Sequence, residues 1–289
     1  MSASAATSPT KKKLPLPMEI LSYSFIQNAL LGSLLASLLC AMMGTYVVTR
    51  RLVIAGGGVA HASLGGVGLG AYFGFSPLLG AAAFALFSGY SIEWLSRRHG
   101  AREDSATAML WTFGMSVGIL FSFLAPGFMT ELPAYLFGDI LSVSHGDLIV
   151  IGLLTALTAV LFYCFLPVIV CISYDRDFAI TQGLPVRLLE FVMTTLTALT
   201  IVSCLHIVGI VLVISLLSIP QMTAAIFVRT FRGMVFLSAL LGYTGCLCGL
   251  VVSFYFNVPS GAAIILASVS IYILSRAIKK LYLRFFCSP

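Results

Sequence analysis

Apolar residues dominate this chain in long windows, and short polar or basic breaks separate one window from the next. Each window is about 20 residues long, which is the length a helix needs to cross a hydrocarbon layer of about 30 Å. The windows fall at residues 24–49, 53–74, 77–96, 105–126, 147–171, 188–206, 208–228, 233–256 and 259–280. Because the sixth and seventh abut at His206 to Gly209, the pattern predicts an all-α, polytopic membrane bundle of about eight or nine transmembrane helices.

The composition agrees with a membrane-embedded chain. Hydrophobic residues make up 60% of the 289 residues, charged residues make up only 9%, and the mean hydropathy is +1.06. Soluble domains carry about a quarter charged residues, so the composition excludes a soluble globular protein. The seven cysteines are scattered without a C-x-x-C pair. We interpret them as small packing residues, with metal-binding thiolates as the alternative.

Basic residues fall in short groups between the apolar windows, so the net charge of +6 indicates membrane topology and predicts no nucleic-acid partner. The groups are Arg50 and Arg51; Arg97, Arg98 and Arg102; Arg176 and Arg187; Arg229 and Arg232; and Arg276, Lys279, Lys280 and Arg284. Alternating spans place all five groups on one face, which the positive-inside rule makes cytoplasmic. The prediction is a multi-pass protein of the cytoplasmic (inner) membrane with its C-terminus in the cytoplasm. The opposite face is faintly acidic, which suits a cation.

The predicted organisation is a flexible N-terminal tail at 1–17, one transmembrane domain at 18–284 and a C-terminal tail at 285–289. Lys11, Lys12 and Lys13 in the first tail depart from the topology, because nine spans with a cytoplasmic C-terminus put the N-terminus outside. Either translocation tolerates the short tail, or one span is miscounted.

Two segments between the windows are too short or too polar to span. Residues 131–146 are amphipathic and predict a short surface or re-entrant helix on the outer side. Residues 173–190 are polar and lie on the cytoplasmic face, where we predict a projecting helix at about 173–187. Asp175 and Asp177 suit its first turn, because the helix dipole favours carboxylates there, and Gly183 with Pro185 would end it. Such a helix has a suitable shape for docking a partner.

The chain lacks the G-x-x-x-x-G-K-[ST] motif of P-loop ATPases. If ATP drives transport, the hydrolysing subunit must be another polypeptide. An intramembrane hydrolase would need a nucleophile paired with a base inside the spans, and we identify no such pair. The sequence therefore does not predict an enzyme.

His61 is an ionisable residue inside an otherwise apolar, glycine-rich window that begins just after Arg50 and Arg51. A helix entering the membrane there would carry the imidazole roughly 12 to 15 Å inward. An ionisable group at that depth is costly unless it faces protein or water, which makes His61 a candidate functional residue. A ligand for a first-row metal or a proton relay is one interpretation. A neutral imidazole hydrogen-bonded to a backbone carbonyl is the other.

Three further residues are weaker candidates for a metal pathway. His206 lies in a break near the outer face, where it would act as a gate or entry ligand. Gln221 and Met222 follow Pro220 and place a carboxamide and a thioether at membrane depth, although core packing is the alternative for Met222. His99 and His145 are interpreted as solvated loop residues.

Several motifs in order resemble the membrane permease subunit of the zinc, manganese and iron ABC importer family, over residues 24–280. The Arg50-Arg51 pair followed by Gly56 and His61 resembles the family's R-R-x-x-x-x-G-D-A-x-S-H segment. The run from Tyr135 to Leu141 reads Y-L-F-G-D-I-L, as in the family. Asp175, Asp177, Ala179 and Gly183 are similar to its D-x-E-x-A-x-x-x-G coupling segment. Residues 208–224 resemble its V-G-x-L-L-V helix and the following L-x-x-P-A-A-x-A.

This resemblance implies a type II ABC importer-like permease that forms a homodimer. It further implies a cytoplasmic ABC ATPase dimer docked on the 173–187 helix and an extracytoplasmic metal-binding protein. A divalent Zn, Mn or Fe ion would be the substrate, with no permanently bound cofactor. In the family, an aspartate and a histidine four residues apart line the pathway; here the histidine is His61, and Gly57 stands where the aspartate is expected. The alternatives are a permease for a metal chelate such as a siderophore or cobalamin, a secondary carrier independent of ATP, or a membrane scaffold.

Overall fold

The computed structural model of the chain describes residues 24–127, 132–138 and 140–286. Its helices are α1 (Ser24–Thr49), α2 (Val53–Phe73), α3 (Pro77–His99), α4 (Glu103–Leu124), α5 (Leu132–Phe137), α6 (His145–Tyr174), α7 (Arg176–Thr181), α8 (Val186–Leu216), α9 (Ile219–Phe227), α10 (Phe231–Phe256) and α11 (Ser260–Phe286), with a 3-10 turn at Ile140–Ser142. No strand occurs in these ranges. Nine helical segments within them are long and apolar enough to cross a membrane. The predicted all-α polytopic bundle is therefore confirmed.

Helix boundaries agree with the apolar windows to within a few residues, except at the C-terminus and in the seventh window, 208–228, which is divided between α8 and α9. The helix α11 continues to Phe286, so the predicted start of a tail at 285 falls inside a helix. Arg284 in the last turn stabilises this end, because a cation interacts favourably with the helix dipole. The predicted N-terminal tail at 1–17 and residues 287–289 lie outside the described residues.

Glycines bring α2 into backbone contact with α3 and α4. Gly66 lies against Gly80 of α3, and Gly68 lies against Gly118 of α4; a Cβ at any of these positions would overlap the neighbouring backbone. Small residues let membrane helices approach closely. Because lipid is as apolar as the helix surface, van der Waals packing and not the hydrophobic effect then drives the association of the helices. The glycine-rich sequence of α2 thus fixes this helix between its two neighbours.

The run Gly114-Met115-Ser116-Val117-Gly118 has the G-x-S-x-G spacing of a hydrolase nucleophile elbow. It lies in the middle of α4 and not at a strand-to-helix turn. Both glycines pack against the backbone of α2, Gly114 at Ala62 and Gly118 at Leu64. The spacing therefore serves helix packing here.

A break at Gly209 divides α8. Its φ of 76° and ψ of 162° are not helical, and the residue lies near the start of the second of the candidate spans Val186–Leu205 and Ile207–Phe227. The predicted outer helix at 131–146 is instead the short helix α5 followed by the 3-10 turn. Gly138, with φ 67°, lies directly against Val208 and Gly209. Only glycine satisfies both the positive φ and this close approach, so the two irregular segments support each other.

Candidate transport site and coupling segment

One stripe along α2 is not covered by the other helices in the described part of the chain. Ile54 is 58% exposed, and Gly57 and His61 are partly exposed, whereas the glycine faces toward α3 and α4 are buried. At 3.6 residues per turn these three positions lie on one side of the helix. His61 is about 12 Å along the helix axis from Val53. The predicted depth of the imidazole is consistent with this position.

The His61 imidazole stacks on the indole of Trp111 in α4. The ring centroids are 4.5 Å apart and the planes differ by 8°. The indole Nε1 of Trp111 donates to the sulfur of Met115 at 2.8 Å, which fixes the indole in turn. His61 Nδ1 is buried and has no hydrogen-bond partner among the described residues. The structure therefore shows no hydrogen bond from Nδ1 of His61 to a backbone carbonyl among the described residues.

Gly57 leaves open space one turn before His61. The nearest atom to a Cβ built there is Cδ1 of Ile214, at 3.9 Å, which is an ordinary van der Waals distance. In the described part of the chain, no group of three His, Cys, Asp or Glu side chains lies close enough to hold a metal ion. A single protomer thus presents one imidazole and room for a further ligand beside it.

The other pathway candidates are separated by their burial. Gln221 is fully buried, and its Nε2 donates to the carbonyl oxygens of Cys40 at 2.8 Å and Leu216 at 3.1 Å. Met222 is 46% exposed on the same side of α9 as Ala225. The side chain of His206 lies outside the described residues. Gln221 therefore holds α1 and α9 together, and only Met222 of these two reaches an open face.

The predicted cytoplasmic helix is present as the short helix α7 between α6 and α8. Asp175 is its N-cap, with the carboxylate accepting from the amide of Phe178 at 2.9 Å. Asp177 in the first turn is 95% exposed, whereas Ala179 is buried in a small apolar cluster with Ile172 and Val186. Gly183, with φ 69°, reverses the chain after the helix. The helix is shorter than the predicted 173–187, because Tyr174 ends α6 and Val186 begins α8.

The family model described as ABC 3 transport family matches residues 22–279 of this chain. The chain belongs to the ABC 3 transport family. An uncharacterised membrane protein of Synechocystis is 38% identical over 263 residues, covering 91% of this chain and 94% of that one. The manganese transport system membrane protein MntC of Halalkalibacterium halodurans is 32% identical over 260 residues, covering 89% and 88%.

A solved structure shares the fold of this ABC 3 family member. PsaBC from Streptococcus pneumoniae in complex with Fab superposes with a TM-score of 0.83 at 27% identity, over 92% of this chain and 97% of that one. The predicted permease fold is therefore confirmed.

A charged cluster at the basic end of this ABC 3 permease fold was not predicted from the sequence. Glu190 in α8 is 2% exposed, and its Oε1 accepts from Arg50 at 2.9 Å and from Arg176 Nε at 3.0 Å. Its Oε2 is 2.7 Å from a terminal nitrogen of Arg97. The available signal was an acidic residue inside the apolar window 188–206, three residues after Arg187. The partners could not be inferred, because they come from three other segments.

Glu190 borders a cavity of about 570 Å³ between α1, α2, α3 and α8. Its charged lining residues are Arg50, Glu93, Arg97, Glu103, Arg176, Arg187 and Glu190. Ala55, Gly56 and Val59 of α2 also border it, on the opposite side of that helix from Gly57 and His61. The cavity is therefore separate from the His61 stripe.

Proposed function

We propose that this chain is the permease subunit of an ATP-driven importer that carries a divalent transition metal, Zn, Mn or Fe, across the cytoplasmic membrane. The observation that carries the proposal is the position of His61 on the uncovered stripe of α2, in a member of a transport family. Neutral imidazole is a good ligand for these metals. The manganese transport name of the MntC relative supports the same substrate class.

The uncovered stripe favours a homodimer. An ionisable residue at membrane depth is expensive when it faces lipid, so a second copy packed on this stripe would remove that cost. Two His61 side chains would then face one central path. The imidazoles would supply two ligands to the metal ion, and water or carbonyl oxygen would complete its coordination shell. Met222 and His206 are secondary candidates along this path.

The cytoplasmic helix α7 would dock an ABC ATPase dimer as part of the segment that contains Asp175, Asp177, Ala179 and Gly183. Asp177 is exposed on it, whereas Ala179 packs the helix against α6 and α8. Hydrolysis belongs to that partner because this chain has no P-loop motif. An extracytoplasmic binding protein would deliver the ion to the opposite face. In this arrangement the C-terminus and the basic groups lie in the cytoplasm.

The proposal is tested by Mn²⁺ uptake into proteoliposomes that contain the full chain and a candidate partner ABC ATPase. ATP should drive uptake. His61→Ala should lower the uptake rate by about tenfold or more, because even mutation of a residue that only hydrogen-bonds to a metal ligand typically lowers metal affinity or activity about tenfold or more. His145→Ala is the matched control, because His145 is exposed at the start of α6. Uptake that follows an ion gradient without ATP would instead indicate a secondary carrier, and preference for a chelate over the free ion would indicate a chelate permease.

A further inference from the structure

We propose that Glu190 is the positioning residue that transmits movement of the cytoplasmic helix α7 to the transmembrane helices α1 and α3. The inference rests on the proposed ATP-driven function, since it assigns the internal link between a docked ATPase and the transport path. It starts from the observation that one buried carboxylate joins four separate segments of the chain.

The helix α7 has few other connections to the bundle. Its buried apolar contact is the small cluster of Ile172, Ala179 and Val186, which come from α6, α7 and α8 themselves. These three helices follow one another in the chain, so this cluster does not reach α1 or α3. Arg176, the first residue of α7, makes that connection by donating to Glu190.

The carboxylate connects Arg176 to both distant helices. Oε1 accepts from Arg176 and also from Arg50, which directly follows α1. Arg50 additionally donates to the carbonyl oxygen of Ile172 in α6 at 3.1 Å. Because Arg50 and Arg176 share one acceptor oxygen, displacement of Arg176 changes the electrostatic balance on Arg50 directly.

Arg97 in the last turn of α3 occupies the second oxygen, Oε2, and also pairs with Glu93 at 2.9 Å. The carboxylate is 2% exposed, whereas the Arg97 and Arg176 side chains are 37% and 34% exposed, so solvent screens these interactions less than it would screen fully exposed ion pairs. Such a network favours one arrangement of the helices that it connects. Movement of α7 should therefore move α1 and α3 with it.

The decisive variant is Arg176→Ala in the full permease with its ATPase, in proteoliposomes supplied with Mn²⁺. It removes the α7 contact and leaves Glu190 paired with Arg50 and Arg97. We expect ATPase binding, ATP hydrolysis and thermal stability near wild type, but Mn²⁺ moved per ATP lowered by roughly tenfold, within the usual range of inter-site coupling. Arg187→Ala is the matched control: it lines the same cavity, and within the described residues it has no acidic partner within 4 Å.

Normal Mn²⁺ transport per ATP in Arg176→Ala would overturn the proposal, and so would a proportional loss of ATPase binding and uptake, because Arg176 would then act in docking alone. If Arg176→Ala does not fold, Arg176→Gln serves instead; it keeps a polar side chain but removes the charge that pairs with Glu190, and unchanged Mn²⁺ transport per ATP in it would equally contradict the proposal. Failure of the wild-type protein to show ATP-dependent uptake would reject the proposed function itself, which distinguishes the two outcomes.

Discussion

His61 and Glu190 are both ionisable side chains in membrane-spanning helices, yet the chain surrounds them differently. Glu190 is 2% exposed and paired with three guanidinium groups from the same protomer. His61 has an aromatic neighbour and, among the described residues, no charged or hydrogen-bonding partner at Nδ1. A site whose charges are matched internally is suited to holding helices together. A site with one unpaired imidazole nitrogen and open space beside it is suited to binding a group that does not belong to this chain.

The largest expected effect is on stability, from Glu190→Ala. Three arginines would then lack their shared carboxylate. Because Arg97 and Arg176 are 37% and 34% exposed, we expect a loss of about 1.5 to 3 kcal/mol, the scale of hydrogen bonds to a charged group, and less than for a fully buried pair. Thermal unfolding of the detergent-solubilised protein should show this loss. Glu103→Ala is the control, because Glu103 borders the same cavity but is exposed at the start of α4. Equal losses in the two variants would mean that Glu190 is not internally matched in the way described.

The second expected effect is on metal affinity, from Gly57→Asp. The added carboxylate would lie one turn from His61, where a Cβ finds no atom closer than 3.9 Å. We expect Mn²⁺ to bind roughly 10- to 100-fold more tightly, or about 1.4 to 2.8 kcal/mol, as measured by calorimetry.

Gly56→Asp is the control for this comparison. Gly56 is the adjacent residue, but it is buried and borders the cavity beside Glu190 instead of the His61 stripe. A carboxylate there should not tighten Mn²⁺ binding. If both variants bind Mn²⁺ equally well, the open flank beside His61 is not a metal site.

The contrast between the two regions also separates what the sequence predicts from what it does not. The depth of His61, the apolar windows and the carboxylates at the start of α7 follow from local pattern, because helix length, period and the dipole at a helix start depend on neighbouring residues. The Glu190 cluster does not follow, since its arginines come from the ends of α1 and α3 and from α7. The same holds for Gln221, whose hydrogen bond to the Cys40 carbonyl spans 181 positions.

The break at Gly209 lies between these extremes. The sequence shows an interruption between two apolar windows but cannot distinguish a loop from a kinked helix. The structure resolves this with Gly138, which packs against Val208 and Gly209 from a segment about 70 positions earlier. A glycine in the sequence indicates only that close backbone contact is possible at that position. Which segment makes the contact depends on the tertiary structure.

A smaller effect is expected from Trp111→Ala. Removal of the stacked indole should lower the free energy of unfolding by about 1 kcal/mol, which is what an aromatic pair contributes in addition to the burial of its surface area. His61 should then react faster with diethyl pyrocarbonate, because Nδ1 loses its cover. Trp94→Ala is the control, since Trp94 contacts His99, with ring centroids 4.4 Å apart, and not His61. Unchanged reactivity of His61 would show that the indole does not shield it.

The smallest effect tests the other acidic neighbour of Arg176. Asp177 lies 3.9 Å from a terminal nitrogen of Arg176 but is 95% exposed, whereas Glu190 is buried. Exposed ion pairs contribute about 0.2 to 1 kcal/mol at most, because water and salt screen them. Asp177→Asn should therefore leave thermal unfolding almost unchanged, and the small difference should vanish at high salt. A loss close to that of Glu190→Ala would contradict the view that burial, and not charge pairing alone, makes the Glu190 cluster rigid.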